Sequence, residues 1–282
     1  MTQGFIERSF IPTLTGNGAP NMIPNYIGQE YIDLSNGSIY KASNILGVYN
    51  WAYIGKGSTS AFDKNTIPGL IAWYDAANSA NLTLSGTNVT GWYDLSGNGN
   101  HMTIDGSSPS YVQDVQNGKA GIYFNGINQA LKNTTSITDV AMPYTVILCV
   151  RPTNWGTGTY QTISGYTYGI YDYAIIGKQT GSTVLRAASG STVNGPTLSN
   201  GTTCTIAVVF NGTSSQIWLN NSLSSSGNAG GNNLVEANIG HLLTGTQWWE
   251  GYGFEQFYYS GALSSTDLNK IFTYLNNKWG VY

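Results

Sequence analysis

Short runs in which apolar and polar residues alternate, each closed by a turn signal, recur along the chain and predict β-strands. Leu70-Ile-Ala-Trp-Tyr-Asp75, a second strand around Trp92, and Ala120-Gly-Ile-Tyr-Phe-Asn125 are the clearest. Asn125-Gly126 and the stretch Ser96-Gly-Asn-Gly-Asn100 supply residues that reach positive φ cheaply, as tight reversals require. Two runs are apolar almost throughout, Tyr144-Thr-Val-Ile-Leu-Cys-Val150 and Thr203-Cys-Thr-Ile-Ala-Val-Val-Phe210, and so suit central strands covered on both faces. Asn211-Gly212 closes the second, and Ser215-Gln-Ile-Trp-Leu-Asn220 is the expected hairpin partner. Phe254-Glu-Gln-Phe-Tyr-Tyr259 reads as the last strand.

The period then changes. Ser264 reads as a helix N-cap with Asp267 three residues on, and Leu268, Ile271, Phe272 and Leu275 form one apolar face at helical spacing. One short helix is predicted there, with Trp279 packing down onto the body of the protein. Trp73 and Trp92 are read as framework core.

The front of the chain has a different texture. Residues 1–24, punctuated by Pro12, Gly16, Gly18, Pro20 and Pro24, read as an extended arm. Three short strands follow at 26–33, 38–43 and 49–54, too small a unit to bury much core of its own. The expected division is an N-terminal module over 1–55, a linker over 56–66 and a large β domain over 67–282.

Charge narrows the function. Only 9% of residues are charged, against a usual ~25%, and the net charge is -3 with no basic stripe, which argues against nucleic acid and an anionic membrane surface. No stretch approaches the ~18 consecutive apolar residues of a membrane span, and the N-terminus has no basic segment followed by an apolar run, so a soluble chain without a secretory signal is expected. Cys149 and Cys204 sit inside apolar runs and read as buried free thiols on neighbouring strands, a disulfide being the alternative.

Several segments together resemble a known family. Leu70-Ile-Ala-Trp-Tyr-Asp75, Trp92-Tyr-Asp-Leu-Ser-Gly-Asn-Gly-Asn-His101, Asn117-Gly-Lys-Ala-Gly-Ile-Tyr-Phe-Asn-Gly126, Tyr259-Ser-Gly-Ala-Leu-Ser264 and Tyr274-Leu-Asn-Asn-Lys-Trp279 resemble the laminin-G-like, concanavalin A-like jelly-roll modules of bacteriophage surface proteins. Ile27-Gly-Gln29 and Asn50-Trp51 are similar to small N-terminal β modules of phage tail and neck-appendage proteins. The resemblance implies an all-β, two-sheet jelly-roll sandwich with one C-terminal helix, behind a small attachment module. It implies a virion surface protein assembled in the host cytoplasm, held to other virion proteins through its front, forming a homo-oligomer such as a trimer, and contacting host-surface glycan. A purely structural decoration, head-fibre or neck protein is the alternative, and a polysaccharide depolymerase the third reading.

Candidate sites follow from residue chemistry. Trp155, Tyr160, Tyr166, Tyr168, Tyr171 and Asp172 mix flat rings with polar groups, as saccharide binding needs, and Trp248, Trp249 and Tyr252 are candidates for the same face. Core packing accounts for the first group as well as ligand contact does. Phe5, Ile6, Phe10, Tyr26, Tyr31 and Trp51 are the candidates for virion attachment. Asp94, Asn98 and Asn100 could offer oxygens to calcium, but turn chemistry uses the same residues, so no metal or cofactor is expected. Glu250 and Glu255, five apart, fall on opposite faces of a regular strand, and no Gly-x-Ser-x-Gly elbow accompanies His101 or His241, so no enzyme is expected.

Overall fold

The computed structural model describes residues 14–16, 20–22, 29–33, 38–45, 48–56, 62–133, 137, 139–156, 158–167, 173–242 and 247–282. The chain divides into two compact units, Met1–Phe62 and Asp63–Tyr282. In the first, β1 (Leu14–Gly16), β2 (Glu30–Asp33), β3 (Ser38–Ile45) and β4 (Val48–Lys56) form one sheet in that order, with β1 parallel to β2 and the rest antiparallel. The reading of residues 1–24 as an arm is therefore corrected at Leu14–Gly16, which the β2 ladder takes up as a strand. Tyr31 is buried, with its ring 5.8 Å from Trp51 and 6.3 Å from Tyr40, and Trp51 Nε1 donates to Met22 O at 2.7 Å. Two residues expected to face the virion thus pack this unit's own small core, while Phe5, Ile6, Phe10 and Tyr26 lie outside the described residues.

The second unit is a two-sheet antiparallel sandwich with one helix, the all-β fold expected. Its strands begin with β5 (Leu70–Asp75), β6 (Leu82–Ser85), β7 (Asn88–Trp92), β8 (Met102–Ile104), β9 (Ser110–Gln116), β10 (Lys119–Asn125) and β11 (Leu131–Asn133). They continue with β12 (Tyr144–Pro152), β13 (Gln161–Thr167), β14 (Tyr173–Lys178), β15 (Val184–Ala188) and β16 (Thr192–Thr197). The last are β17 (Cys204–Phe210), β18 (Ser215–Leu219), β19 (Ser222–Gly227), β20 (Asn238–Ile239) and β21 (Glu250–Ser260). The small sheet is β13-β14-β15-β16; the large one runs β19-β18-β17-β12-β21-β10-β9-β7-β8-β11-β20, with β5 added on β21 and β6 on β7.

Strand β21 is the axis of the large sheet. Its 11 residues pair with β12 along one side, while the other side is shared between β10, opposite Glu250 to Gly253, and β5, opposite Glu255 to Tyr259. Buried side chains from β12 (Val146, Leu148, Val150), β17 (Ile206, Val208, Phe210) and β21 (Tyr258) meet those of β13 (Ile163, Tyr166), β14 (Ala174, Ile176) and β15 (Leu185, Ala187) in one core. This double coverage explains why β12 and β17 are apolar on both faces. The pair β17–β18 forms as expected, although one 3-10 turn over Gly212–Ser214 replaces a two-residue reversal.

Helix α1 (Ser265–Trp279) lies on the outer face of the large sheet, with Phe257 6.3 Å from Tyr274 and Phe254 5.0 Å from Trp279. Ser264 Oγ accepts from Asp267 N at 3.2 Å, and Gly280 ends the helix in the left-handed region at φ 62°, where a side chain would be strained. Cys149 and Cys204 are buried free thiols on the adjacent strands β12 and β17. Thr205 is the partner of Cys149 and Val150 that of Cys204, so the two side chains leave the sheet on opposite faces. Burial pushes the Cys204 thiol up to about 12. Among the described residues, no helix is long and apolar enough to cross a membrane.

Candidate functional site

Three of the aromatic candidates have gone into the core. Trp155 is 2% exposed, its Nε1 donates to Thr183 O at 2.8 Å, and Lys178 Nζ lies 5.9 Å from its ring centroid. Tyr166 is 1% exposed, and Trp249 is fully buried against Phe124. The expectation of one open aromatic face is corrected to this extent: in β13 alternation turns Tyr166 inward, and Trp155 and Trp249, just outside the strands, fold in over Thr183 and Phe124. Tyr168, Tyr171 and Asp172 lie outside the described residues. Tyr160 stays 39% exposed.

Trp248 and Tyr252 do not share a surface patch with that group. Trp248 is half-buried and packs on His241, ring centroids 4.4 Å apart, while His241 Nε2 lies 2.8 Å from Asp105 Oδ2, which Lys132 Nζ also meets at 3.3 Å. Tyr252 lies 5.0 Å from Tyr123 with the Arg151 guanidinium 4.5 Å from its ring centroid. Beside it, Glu250 accepts from Tyr123 at 3.2 Å, Thr153 at 3.3 Å and Asn154 at 3.0 Å.

The parity argument separating Glu250 from Glu255 fails for a local reason. A bulge shifts the β12–β21 register, pairing Cys149 with Glu255 but Val150 with Gly253, so Phe254 and Glu255 both reach Trp279. Glu255 is fully buried and accepts from Trp73 Nε1 (2.8 Å), Tyr274 OH (2.8 Å), Lys278 Nζ (2.7 Å) and Trp279 Nε1 (2.7 Å).

The loop that offered oxygens to calcium uses its polar atoms internally. Asp94 accepts from Trp73 N (3.0 Å), Ser96 N (2.8 Å), Ser96 Oγ (2.8 Å) and Asn100 N (2.9 Å). Asn98 and Asn100 turn their amide nitrogens onto Ile71 O, each at 2.9 Å. Asp94→Asn is therefore expected to cost about 2 kcal/mol in urea unfolding, because charge-assisted bonds to four donors are weakened at once. Among the described residues, no group of three or more His, Cys, Asp or Glu side chains could hold a metal ion.

Polar concavities occur beside Asn98 and Asn100, beside Lys64 and Asn65, and between Asp139 and Asn232; the last holds a carboxylate with two amide side chains. Gly231, Asn232, Asn233 and Val235, ahead of β20, line a groove of about 260 Å³ with Asp139 and Tyr166. Asn233 Nδ2 donates to Asp139 Oδ1 at 2.9 Å, and Asn232 Nδ2 donates to Tyr173 O at 3.1 Å. Tyr166 also lines a void of about 10 Å³, with Tyr144, Ser164, Phe210, Glu236 and Tyr258.

Asn238 ties the backbone beside Tyr166 to Glu236. Its Oδ1 accepts from Gly165 N at 2.7 Å, and its Nδ2 donates to Gly165 O and, at 3.1 Å, to Glu236 Oε1. Tyr258 OH donates to Asn238 O at 3.0 Å and lies 3.0 Å from Ser164 Oγ. Burial pushes the Glu236 carboxyl up to about 7, with Lys132 and the Asn238 amide pulling down and Asp105 adding to the rise. An acid poised near neutrality in a concave site is a functional-site signal. Sequence reasoning passed over Glu236; the available clue was an acid inside the apolar stretch Leu234-Val-Glu-Ala237 of a chain with only 14 acidic residues.

No protein-family model matches the sequence, and no curated protein matches it. Solved structures do match the fold. Domain 4 of AbnA, a GH43 extracellular arabinanase from Geobacillus stearothermophilus, in complex with arabinotriose, is 17% identical at a TM-score of 0.56, over 72% of this chain and 98% of that one. A Trypanosoma rangeli sialidase is 12% identical at a TM-score of 0.53, and a GH54 α-L-arabinofuranosidase 16% identical at 0.53. This chain covers 44% of the sialidase and 52% of the arabinofuranosidase, less than two thirds of either. At these identities the likeness is one of fold, a β-sandwich found in glycosidases and in a sugar-bound domain. The expectation of no enzyme is overturned as an inference: the neighbours are glycoside hydrolases or parts of them, so the fold gives no ground for excluding catalysis.

Proposed function

We propose that the sandwich unit binds carbohydrate in the groove between Asp139 and residues 231–235. The observation that carries this reading is the placement of Asp139, Asn232 and Asn233 around a concavity that Tyr166 also lines. Carboxylate and amide groups suit a pyranose's alternating donors and acceptors, and the groove, about 260 Å³, is small beside the usual ligand-site range of roughly 300–1,000 Å³, which suits a single sugar unit. The arabinotriose complex of the AbnA domain supports the reading by analogy of fold alone.

The test is a glycan array and titration calorimetry with the full chain, then with Asp139→Ala and Asn233→Ala. Each substitution removes one or two hydrogen bonds, so binding weakens by about three- to tenfold with the fold intact. Binding of no saccharide, or unchanged affinity in both variants, overturns the reading. Reducing-end release in the same samples reads hydrolysis directly.

The finer proposal is a bacteriophage virion surface protein whose first unit docks on the particle while the sandwich faces host glycan. It is supported by the resemblance of Leu70–Asp75, Trp92–His101 and Asn117–Gly126 to phage jelly-roll modules and of Ile27–Gln29 and Asn50-Trp51 to phage attachment modules. Display in many copies would turn weak single contacts into useful avidity. Antibody against the chain should decorate intact particles, and decoration of neither tail, neck nor head surface would sink this proposal.

A further inference from the structure

One buried cation of the sandwich has nothing to pair with. Arg186, in the middle of β15, is 8% exposed, yet among the described residues its guanidinium donates no hydrogen bond and joins no ion pair. Its Nε is fully enclosed and unpartnered. The Tyr160 ring lies alongside, 5.5 Å from Cζ to centroid, and is one of the few large aromatics left open to solvent. The nearest influences on the guanidinium are the Tyr160 and Tyr173 phenols, neither of which carries charge at neutral pH. On the neighbouring strand, Gly177 is the registered partner of Arg186, and the next residue, Lys178, is fully buried with its Nζ donating to Thr159 O at 2.7 Å and no acidic partner among the described residues.

A largely buried guanidinium whose Nε–H has no partner is costly, and such groups are normally held by a carboxylate or a carbonyl. The five residues registered with it across β14 and β15, Ile175, Ile176, Gly177, Ala187 and Ala188, are apolar or glycine, so none of them offers an acid. Nε is the enclosed edge; the two terminal nitrogens reach solvent, and end-on they offer a carboxylate two parallel bonds. Tyr160 stands where the apolar face of a ring attached to that carboxylate would rest.

We propose that Arg186 and Tyr160 form a carboxylate subsite for an acidic sugar, a uronic or nonulosonic acid residue of a glycan. The inference rests on the carbohydrate reading above and deepens it. Tyr173 links the two places: its carbonyl accepts from Asn232 of the groove, and its phenol lies within electrostatic reach of Arg186. The acidic unit of a glycan is held at Arg186 while neutral units take the hydrogen-bonding side chains of the groove.

The test compares sialyllactose with lactose, and oligogalacturonate with its methyl ester, on the full chain by calorimetry. Each acid is expected to bind at least about tenfold more tightly than its neutral counterpart, the scale of one charge-assisted bidentate pair. Arg186→Met removes that preference while leaving the melting temperature unchanged or raised, because the variant no longer buries an unpaired charge. Arg186→Lys restores only part of the preference, since an ammonium cannot present the planar fork. Neutral saccharides that bind as well as the acids overturn the subsite and leave the carbohydrate reading standing. Failure of acids and neutral sugars alike to bind overturns both. Sodium sulfate that displaces the acids at equal concentration overturns carboxylate recognition in favour of a general anion.

Discussion

Lys278→Met is expected to lower the unfolding free energy by about 3–5 kcal/mol at neutral pH and the melting temperature by roughly 10 °C. Lys278 sits in the last turn of α1 with Nζ 2.7 Å from Glu255 Oε2 and 2.8 Å from Asp75 Oδ2, and its ammonium is the counter-charge for both. Burial alone would lower the Lys278 pKa; the two carboxylates more than offset this and hold it raised. Removing it strands a fully buried carboxylate on β21 with only the neutral donors Trp73, Tyr274 and Trp279.

The sign of the pH dependence is then fixed. In the variant the Glu255 carboxyl is raised above its unfolded value, so its stability contribution is present at low pH and lost as pH rises. The deficit against wild type therefore narrows as pH falls toward 5. Adding Glu255→Gln to Lys278→Met should recover part of the loss, because a buried amide is cheaper than a buried unpaired charge. Urea unfolding of the two single variants and the double one measures the coupling. Additive losses would show that α1 is held by apolar packing alone.

The frame of the sandwich was written plainly in the residues that build it. The apolar runs of β12 and β17 could only be covered strands, and Ser264 with the 268, 271, 272 and 275 stripe could only be a capped amphipathic helix. The small sheet left a fainter trace. Gly165, Gly177 and Gly195 interrupt β13, β14 and β16, and register shifts in the β13–β14 and β15–β16 pairs break strict alternation. The aromatic cluster was visible as composition, but whether a ring faces core or solvent depends on register. Tyr160, just outside β13, stays open while Tyr166 within it is enclosed.

The chemistry of the groove was hidden for a different reason. Glu236, Asn238 and Asp139 are ordinary polar residues in sequence, and their roles come from contacts across 94 residues, as between Asn233 and Asp139, or 73, as between Asn238 and Gly165. Arg186 is likewise unremarkable until it is seen that no acid among the described residues pairs with it. Spacing arguments also assume regular strands, which is why one bulge in β21 was enough to void the parity reading of Glu250 and Glu255.

Glu236→Gln is expected to stabilise the protein at pH 8 while leaving it nearly unchanged at pH 4.5. The carboxyl moves from an ordinary 4.5 to about 7 on folding, chiefly through burial. A raised folded value means that the protonated form is favoured by the fold: its contribution is complete below about 4.5, falls through the window from 4.5 to 7, and is absent above it. The difference corresponds to a cost of order 3 kcal/mol for wild type at pH 8, or roughly 6–12 °C in melting temperature for a unit of this size. Glutamine keeps the shape and can satisfy the Asn238 amide through its own oxygen, so the variant's stability should be flat across that window. Thermal melts of both proteins at pH 4.5, 6 and 8 measure this, and parallel curves would mean that Glu236 is solvated. A saccharide that accepts a hydrogen bond from the neutral acid should bind more tightly at pH 5 than at pH 8, and the glutamine variant should lose that dependence, since an amide donates at every pH.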